Sequence, residues 1–229
     1  SHSCLHWQHY RCLHTRFQLW RGFRWRHSLV ISVKTIIDRL DRHQPELDDR
    51  PPSCQAEVAL VLGAVPSASD PQIIFIQRSV CADDPWSGQM AFPGGRREES
   101  DLHAGDAARR ETLEEIGLEL GQHEWVGRLG DLRGRHGSQS QDMLISCFVF
   151  AIERAPALTP NYEVSQVVSV PLSGLLDPSL QTRIRYEQAD GQWFPGISLG
   201  QEDERVIWGL TYRFLWQLFS LLGHTLPTE

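Results

Sequence analysis

Phe92-Pro93-Gly94-Gly95 leads through a polar loop into Arg110-Glu111-Thr112-Leu113-Glu114-Glu115-Ile116-Gly117-Leu118. Three glutamates fall within five residues of one another, just before a helix-stopping glycine. On a helix, Glu111 and Glu115 are one turn apart on the same side, with Glu114 beside them. Like charges stacked this way repel. A solvated helix face is the plain alternative, since charge runs of this kind are common. The upstream glycines, the arginine and the terminal glycine favour a site that holds a cation.

The segment supplies what such a site needs. Gly94 and Gly95 let the backbone turn sharply and approach a ligand closely. Ala104, Ala107 and Ala108 leave room for an ion near the carboxylates. Glu111 and Glu115 offer oxygen ligands at one-turn spacing, a donor set that suits Mg²⁺ or Mn²⁺ rather than zinc. Arg110 lies one turn before Glu114 and is placed to pair with it. A cation held here could bridge phosphate oxygens, activate water and neutralise charge on a leaving phosphate.

Outside this segment the chain of 229 residues has length for one good core plus a decorated segment. Its hydrophobic fraction of 41% is ordinary for a globular protein, and no apolar run reaches membrane-spanning length. The net charge of −7 is uneven: residues 1–37 carry +6 and the rest −13. An acidic body argues against a broad nucleic-acid surface, but not against a small phosphate-containing substrate bridged by a cation. Cys4, Cys12, Cys54, Cys81 and Cys147 are odd in number, widely spaced and without a CxxC pair, so they read as reduced thiols in a cytoplasmic setting. Residues 1–30, rich in His, Trp, Arg and Cys, follow no helix or strand period. They read as an atypical basic leader, either a targeting segment or non-native sequence. Cys4, His6, His9, Cys12 and His14 cluster there without the usual zinc-site spacing.

Periodicity predicts a helix at Val33–Leu40 and strands at 57–65 and 72–77 that pair as a hairpin. A short strand is expected at 90–92, then a helix over 102–116 ended by Gly117. Further strands are expected at 125–129, 143–152 and 164–170, with residues 133–141 as a polar, glycine-containing mobile loop. Leu172–Leu176 reads as a turn or short helix, 183–187 and 192–194 as a hairpin, and 207–222 as an amphipathic helix. Strands, one helix, more strands and a closing helix suggest an α+β fold or a mixed sheet between helices.

Gly95, Asp101, Arg110-Glu111, Glu114-Glu115, Gly117 and Leu118 resemble the Nudix box, GX5EX7REUXEEXGU, where U is bulky and aliphatic. The resemblance implies the Nudix fold, a mixed β-sheet sandwiched between α-helices, over a single domain spanning 31–229 with an N-terminal and a C-terminal helix. It also implies Mg²⁺-dependent hydrolysis of a nucleoside diphosphate linked to another group. Carried over, Glu111 and Glu115 become metal ligands, Glu114 a further ligand or support, Arg110 the orienting partner and Gly95 the loop residue shaping the site. The chain departs from the pattern in three ways. Asp101 replaces Glu, eight residues rather than seven separate it from Arg110, and Thr112 replaces the aliphatic residue.

Arg78-Ser79, Gly88 and Phe92-Pro93-Gly94-Gly95 are similar to the signature of the coenzyme A pyrophosphatase branch, LLTXRSAX3RX3GX3FPGG. The one-residue expansion of the box and Val206-Ile207-Trp208-Gly209-Leu210-Thr211 are also similar to that branch. Asp84 occupies the usual basic position, and Asp84-Pro85-Trp86-Ser87 is an unusual approach to Gly88. The resemblance implies coenzyme A as substrate, with 3′,5′-ADP and 4′-phosphopantetheine as products. ADP-ribose, a dinucleoside polyphosphate or a damaged nucleoside triphosphate is the alternative substrate, and a non-catalytic nucleotide sensor the alternative class. Arg78 is a candidate phosphate contact, against a plain strand-flanking role. Trp86 is a candidate base-stacking residue, against a packed loop tryptophan. Glu163, just before the 164–170 strand, is a candidate for the loop acid that the Nudix resemblance implies near this position, helping the metal or the base. His136 reads as a solvated loop histidine rather than a proton-transfer group. The expected partner is a nucleotide-containing small molecule, with no nucleic acid and no membrane, and a homodimer is compatible with the sequence.

Overall fold

The computed structural model describes residues 31–63, 70–80, 87–136, 141–153, 157–186, 191–200 and 205–228, the side chains of 135, 136 and 141 excepted. The expectations for residues 1–30, for Asp84 and for Trp86 lie outside these residues, as does the side chain of His136.

The centre of the fold is β1 (Cys54–Gly63). It pairs in parallel with β7 (Gln141–Ile152), and antiparallel with β2 (Gln72–Arg78) and β4 (Gly94–Arg96). The sheet continues through β3 (Met90–Ala91) and β8 (Val164–Pro171) on β2, and through β5 (Trp125–Arg128) and β6 (Leu132–His136) on β7. One parallel pair among antiparallel ones makes the sheet mixed.

Alternation along the central strands sends side chains to two separate cores. Leu60, Leu62, Ile73, Phe75, Ile145, Cys147 and Val149 face one side. Ala59, Val61, Ile74, Ile76, Phe148, Phe150 and Ile152 face the other. The first face is covered by α1 (Val33–Leu40), through Ile36 and Leu40, and by α3 (Gly209–Leu221), through Tyr212, Phe214, Leu215, Leu218 and Phe219. The second face is covered by α2 (Asp106–Ile116), through Ala108 and Ile116. The sheet therefore lies between helices, as the α+β expectation required. A smaller antiparallel sheet of β9 (Gln181–Tyr186), β10 (Gln192–Ser198) and β11 (Val206–Trp208) leads into α3.

Three sequence expectations are corrected. The helix expected from Leu102 begins at Asp106, because Gly105 has φ +83° and Leu102 is 77% exposed, with no core to pack against. Of the loop expected over 133–141, residues 133–136 and 141 are strand instead, and 137–140 lie outside the described residues. Leu132 is buried, Gly134 packs under Leu210 and Ile145, and Arg133 bonds to Asp48 and pairs with Asp142, so residues 132–134 are held in place despite the polar composition. The closing helix begins at Gly209, since 206–208 form the edge strand β11.

Candidate active site

The site forms where β4 meets α2. Gly94 adopts φ +151° and lies against the backbone of Glu57 and Val58, where a side chain would collide with the Glu57 carbonyl. Gly95 packs against the Glu111 carboxylate so closely that a β-carbon would occupy its place. Only glycine fits at position 94, whereas a side chain at 95 would displace the Glu111 carboxylate.

Glu115 is 2% exposed, and its Oε2 accepts a hydrogen bond from the Gly94 N–H at 2.9 Å. Burial raises its pKa to about 7, opposed by that hydrogen bond and assisted by the negative charges of Glu111 and Glu163. The Arg78 cation acts on it in the opposite sense. Glu111 is likewise raised by burial, against the pull of Arg110 and with the repulsion of Glu114 and Glu163. Glu111, Glu115 and Glu163 thus share one electrostatic neighbourhood, with Arg78 at its edge. Glu163 is fixed there by its backbone: its carbonyl accepts from Ser79 N–H at 2.7 Å, and its N–H donates to Asn161 Oδ1 at 2.8 Å. Asn161 N–H in turn donates to the Glu115 carbonyl at 2.8 Å.

Arg110 organises the opposite edge. Its guanidinium donates to both oxygens of Asp101, from Nε at 3.2 Å and Nη2 at 3.0 Å. It also donates to Glu111 Oε1 at 2.9 Å and to the Arg96 carbonyl at 2.9 Å. The Asp101 carboxyl is held below its ordinary range by the Arg110 hydrogen bonds, and the Arg110 pKa is raised in return. Glu114 forms the expected ion pair with Arg110, but at 3.6 Å and with a side chain 55% exposed. The fork geometry of the guanidinium favours the buried Asp101, which it grips with two bonds. The aspartate that departs from the family pattern is therefore the main anchor of Arg110.

Of the sequence candidates, Glu111, Glu115, Arg110, Gly94, Gly95 and Arg78 come together, and Glu114 lies at the rim. Among the described residues no three His, Cys, Asp or Glu side chains converge to hold a metal ion. The donors here are nonetheless all carboxylate oxygens, with the pKa of Glu111 and Glu115 raised by burial first and by repulsion from neighbouring carboxylates second, and this chemistry fits a hard divalent cation. Sequence reasoning missed Glu57, 3% exposed on β1, whose carboxylate accepts from the first turn of α2. A lone acid heading the apolar run Val58–Gly63 was the available signal.

Comparison with known proteins bears on the family and the fold. A family model, the NUDIX domain, matches residues 59–191, more than half of the chain. An uncharacterized protein of Schizosaccharomyces pombe is 32% identical over 182 residues, covering 71% of this chain and 55% of its own length. A mitochondrial coenzyme A diphosphatase of Mus musculus is 28% identical over 142 residues, covering 62% of this chain and 66% of its own. The chain thus spans just over half of the first relative and about two thirds of the second. Among solved structures, a MutT/nudix family protein from Enterococcus faecalis superposes with a TM-score of 0.52 at 16% identity, over 84% of this chain and 70% of that one, a likeness of fold. A mixed sheet between helices, with a glycine turn set against a glutamate-bearing helix, defines an α+β domain of this class. The chain belongs to the Nudix family.

Proposed function

We propose that the protein is a metal-dependent pyrophosphohydrolase that cleaves a nucleoside diphosphate conjugate, with coenzyme A as the favoured substrate. The observation that carries the reading is the Glu111–Glu115 pair set against Gly94 and Gly95, with Glu115 desolvated and its pKa raised to about 7. A buried carboxylate facing a second one is costly unless positive charge arrives, and an anionic diphosphate needs the same charge.

Glu111 and Glu115 would hold the cation, with Glu114 as a further ligand or support and Mg²⁺ favoured over Mn²⁺. When bound, it supplies positive charge against the diphosphate and makes water a better nucleophile. The chain's own residues do the rest. Water attacks one phosphorus, and the bond to the bridging oxygen breaks as the second phosphate leaves. The Arg110 grip on Asp101 and Glu111 fixes the Glu111 carboxylate before substrate arrives. Glu163 is exposed beside the pair and is assigned the proton of the attacking water. Arg78, at the end of β2, is assigned to a substrate phosphate. The coenzyme A preference is supported by Arg78-Ser79, Gly88 and Phe92–Gly95 and by the similarity to the mouse diphosphatase. Cleavage would release 3′,5′-ADP and 4′-phosphopantetheine.

The test is hydrolysis with Mg²⁺ or Mn²⁺ of coenzyme A, ADP-ribose, a dinucleoside polyphosphate and an oxidised nucleoside triphosphate, with products identified by mass spectrometry. Coenzyme A is expected to turn over fastest. Faster cleavage of another compound overturns that preference. Tight binding of a nucleotide with no turnover of any overturns the enzymatic reading in favour of a sensor.

A further inference from the structure

Glu57 has no part in the chemistry described above, yet it is a buried carboxylate at the point where β1, β4 and α2 meet. Helix α2 begins after Gly105, an N-cap residue with φ +83° and no side chain to accept from the first turn. The open N–H groups at the second and third helical positions are those of Ala107 and Ala108. Glu57 Oε2 accepts from both, at 3.0 Å and 3.4 Å, across 50 and 51 residues of sequence. A strand residue thus supplies the cap that the helix lacks locally, and its charge is favourably placed at the positive end of the helix.

The same residue engages the glycine turn through its backbone. Glu57 is paired with Gly95 in the β1–β4 ladder, and its carbonyl occupies the space where a Gly94 side chain would stand. Its Oε1 lies 3.6 Å from Arg97 Nε, and Arg97 Nη2 donates to the Asp101 carbonyl at 2.6 Å. Asp101 holds Arg110, which holds Glu111. One residue therefore joins the glycine turn, the start of the glutamate helix and the ion-pair chain that ends on Glu111.

We infer that Glu57 is a positioning residue of the active site, setting the register of α2 against the Gly94–Gly95 turn so that Glu111 and Glu115 stand ready for a divalent cation. The inference rests on the metal-dependent reading above, but its test does not require turnover. Mn²⁺ binding would be titrated directly by electron paramagnetic resonance in wild type, Glu57→Ala and Glu57→Gln, well below each variant's melting temperature. Amide hydrogen exchange at Ala107 and Ala108 would be followed in parallel. Glu57→Ala is expected to weaken Mn²⁺ binding about tenfold, the effect typical of losing a group that orients metal ligands, and to speed exchange at both amides. Glu57→Gln keeps an accepting oxygen and is expected to recover most of the affinity. Unchanged Mn²⁺ affinity in a folded Glu57→Ala, whatever its melting temperature, overturns the inference. If Glu57→Ala does not fold, Glu57→Gln with wild-type affinity but fast exchange at Ala107 and Ala108 overturns it equally. Absence of Mn²⁺ binding in wild type itself would overturn the metal-dependent reading and this inference with it, whereas wild-type binding unaffected by either variant removes the inference alone.

Discussion

At the scale of single residues, two carboxyl groups of the site respond to pH in opposite directions. Glu115 has an ordinary pKa of 4.5 raised to about 7 by burial. Between those values the native state keeps a proton that the unfolded chain has released. The stability linked to that proton is complete below pH 4.5 and is lost as pH rises through about 7. Melting of the metal-free protein should therefore show a decline over this window that is absent from Glu115→Gln; parallel pH profiles for the two would contradict it. Asp101 behaves in reverse. Its pKa is lowered from 3.8 by Arg110, so its contribution is present above 3.8 and is lost on acidification below it. Removing the partner with Arg110→Ala leaves the buried Asp101 with little beyond its bond from the Glu98 N–H. Urea titration should then show a loss of about 3 kcal/mol, the range for breaking a largely buried pair on one side. Glu98→Ala on the exposed side of the same arginine should cost far less, because its contact is 3.9 Å and solvent-screened.

At the scale of elements, β6 is the place where composition misleads. Leu132-Arg133-Gly134-Arg135-His136 has the charge and glycine of a loop, yet it pairs along its length with β7. A β-carbon at Gly134 would stand 3.0 Å from Leu210 of α3 and 3.1 Å from Ile145 of the paired strand β7, so this edge of the sheet packs tightly under the start of α3. Gly134→Val should destabilise the protein by about 1–3 kcal/mol through overpacking. A neutral outcome in chemical denaturation would mean that the arm is a loose loop after all. The elements that sequence made legible are those whose burial follows one period. The span Val33–Leu40, the β1–β2 hairpin and the apolar face of α3 all repeat at helix or strand spacing. What remained illegible was held by partners distant in sequence: β6 by Asp48, β4 by Glu57 and the start of α2 by the same Glu57. The site divides in the same way. The glutamates and glycines were legible as a motif, whereas the tighter grip of Arg110 on Asp101 depends on how the loop 97–105 folds back.

At the scale of the molecule, the sheet separates two tasks. One face is packed by α1 and α3 into a large aliphatic and aromatic core, and the other carries α2. The glutamate helix is anchored through Ala108 and Ile116 below and capped from β1 at its start, so its charged edge is presented on a rigid frame. Charge is distributed consistently with this: the chain beyond residue 37 carries −13, and an anionic substrate approaching it needs positive charge at the point of reaction. The central claim is that Glu111 and Glu115 supply the site for that charge. The most direct measurement is the initial rate of coenzyme A cleavage as a function of Mg²⁺ concentration for wild type, Glu111→Gln and Glu115→Gln, each verified as folded. The account predicts Mg²⁺-dependent turnover in wild type and a loss of about a hundredfold or more in kcat in each variant. Full Mg²⁺-dependent activity in either variant would contradict it.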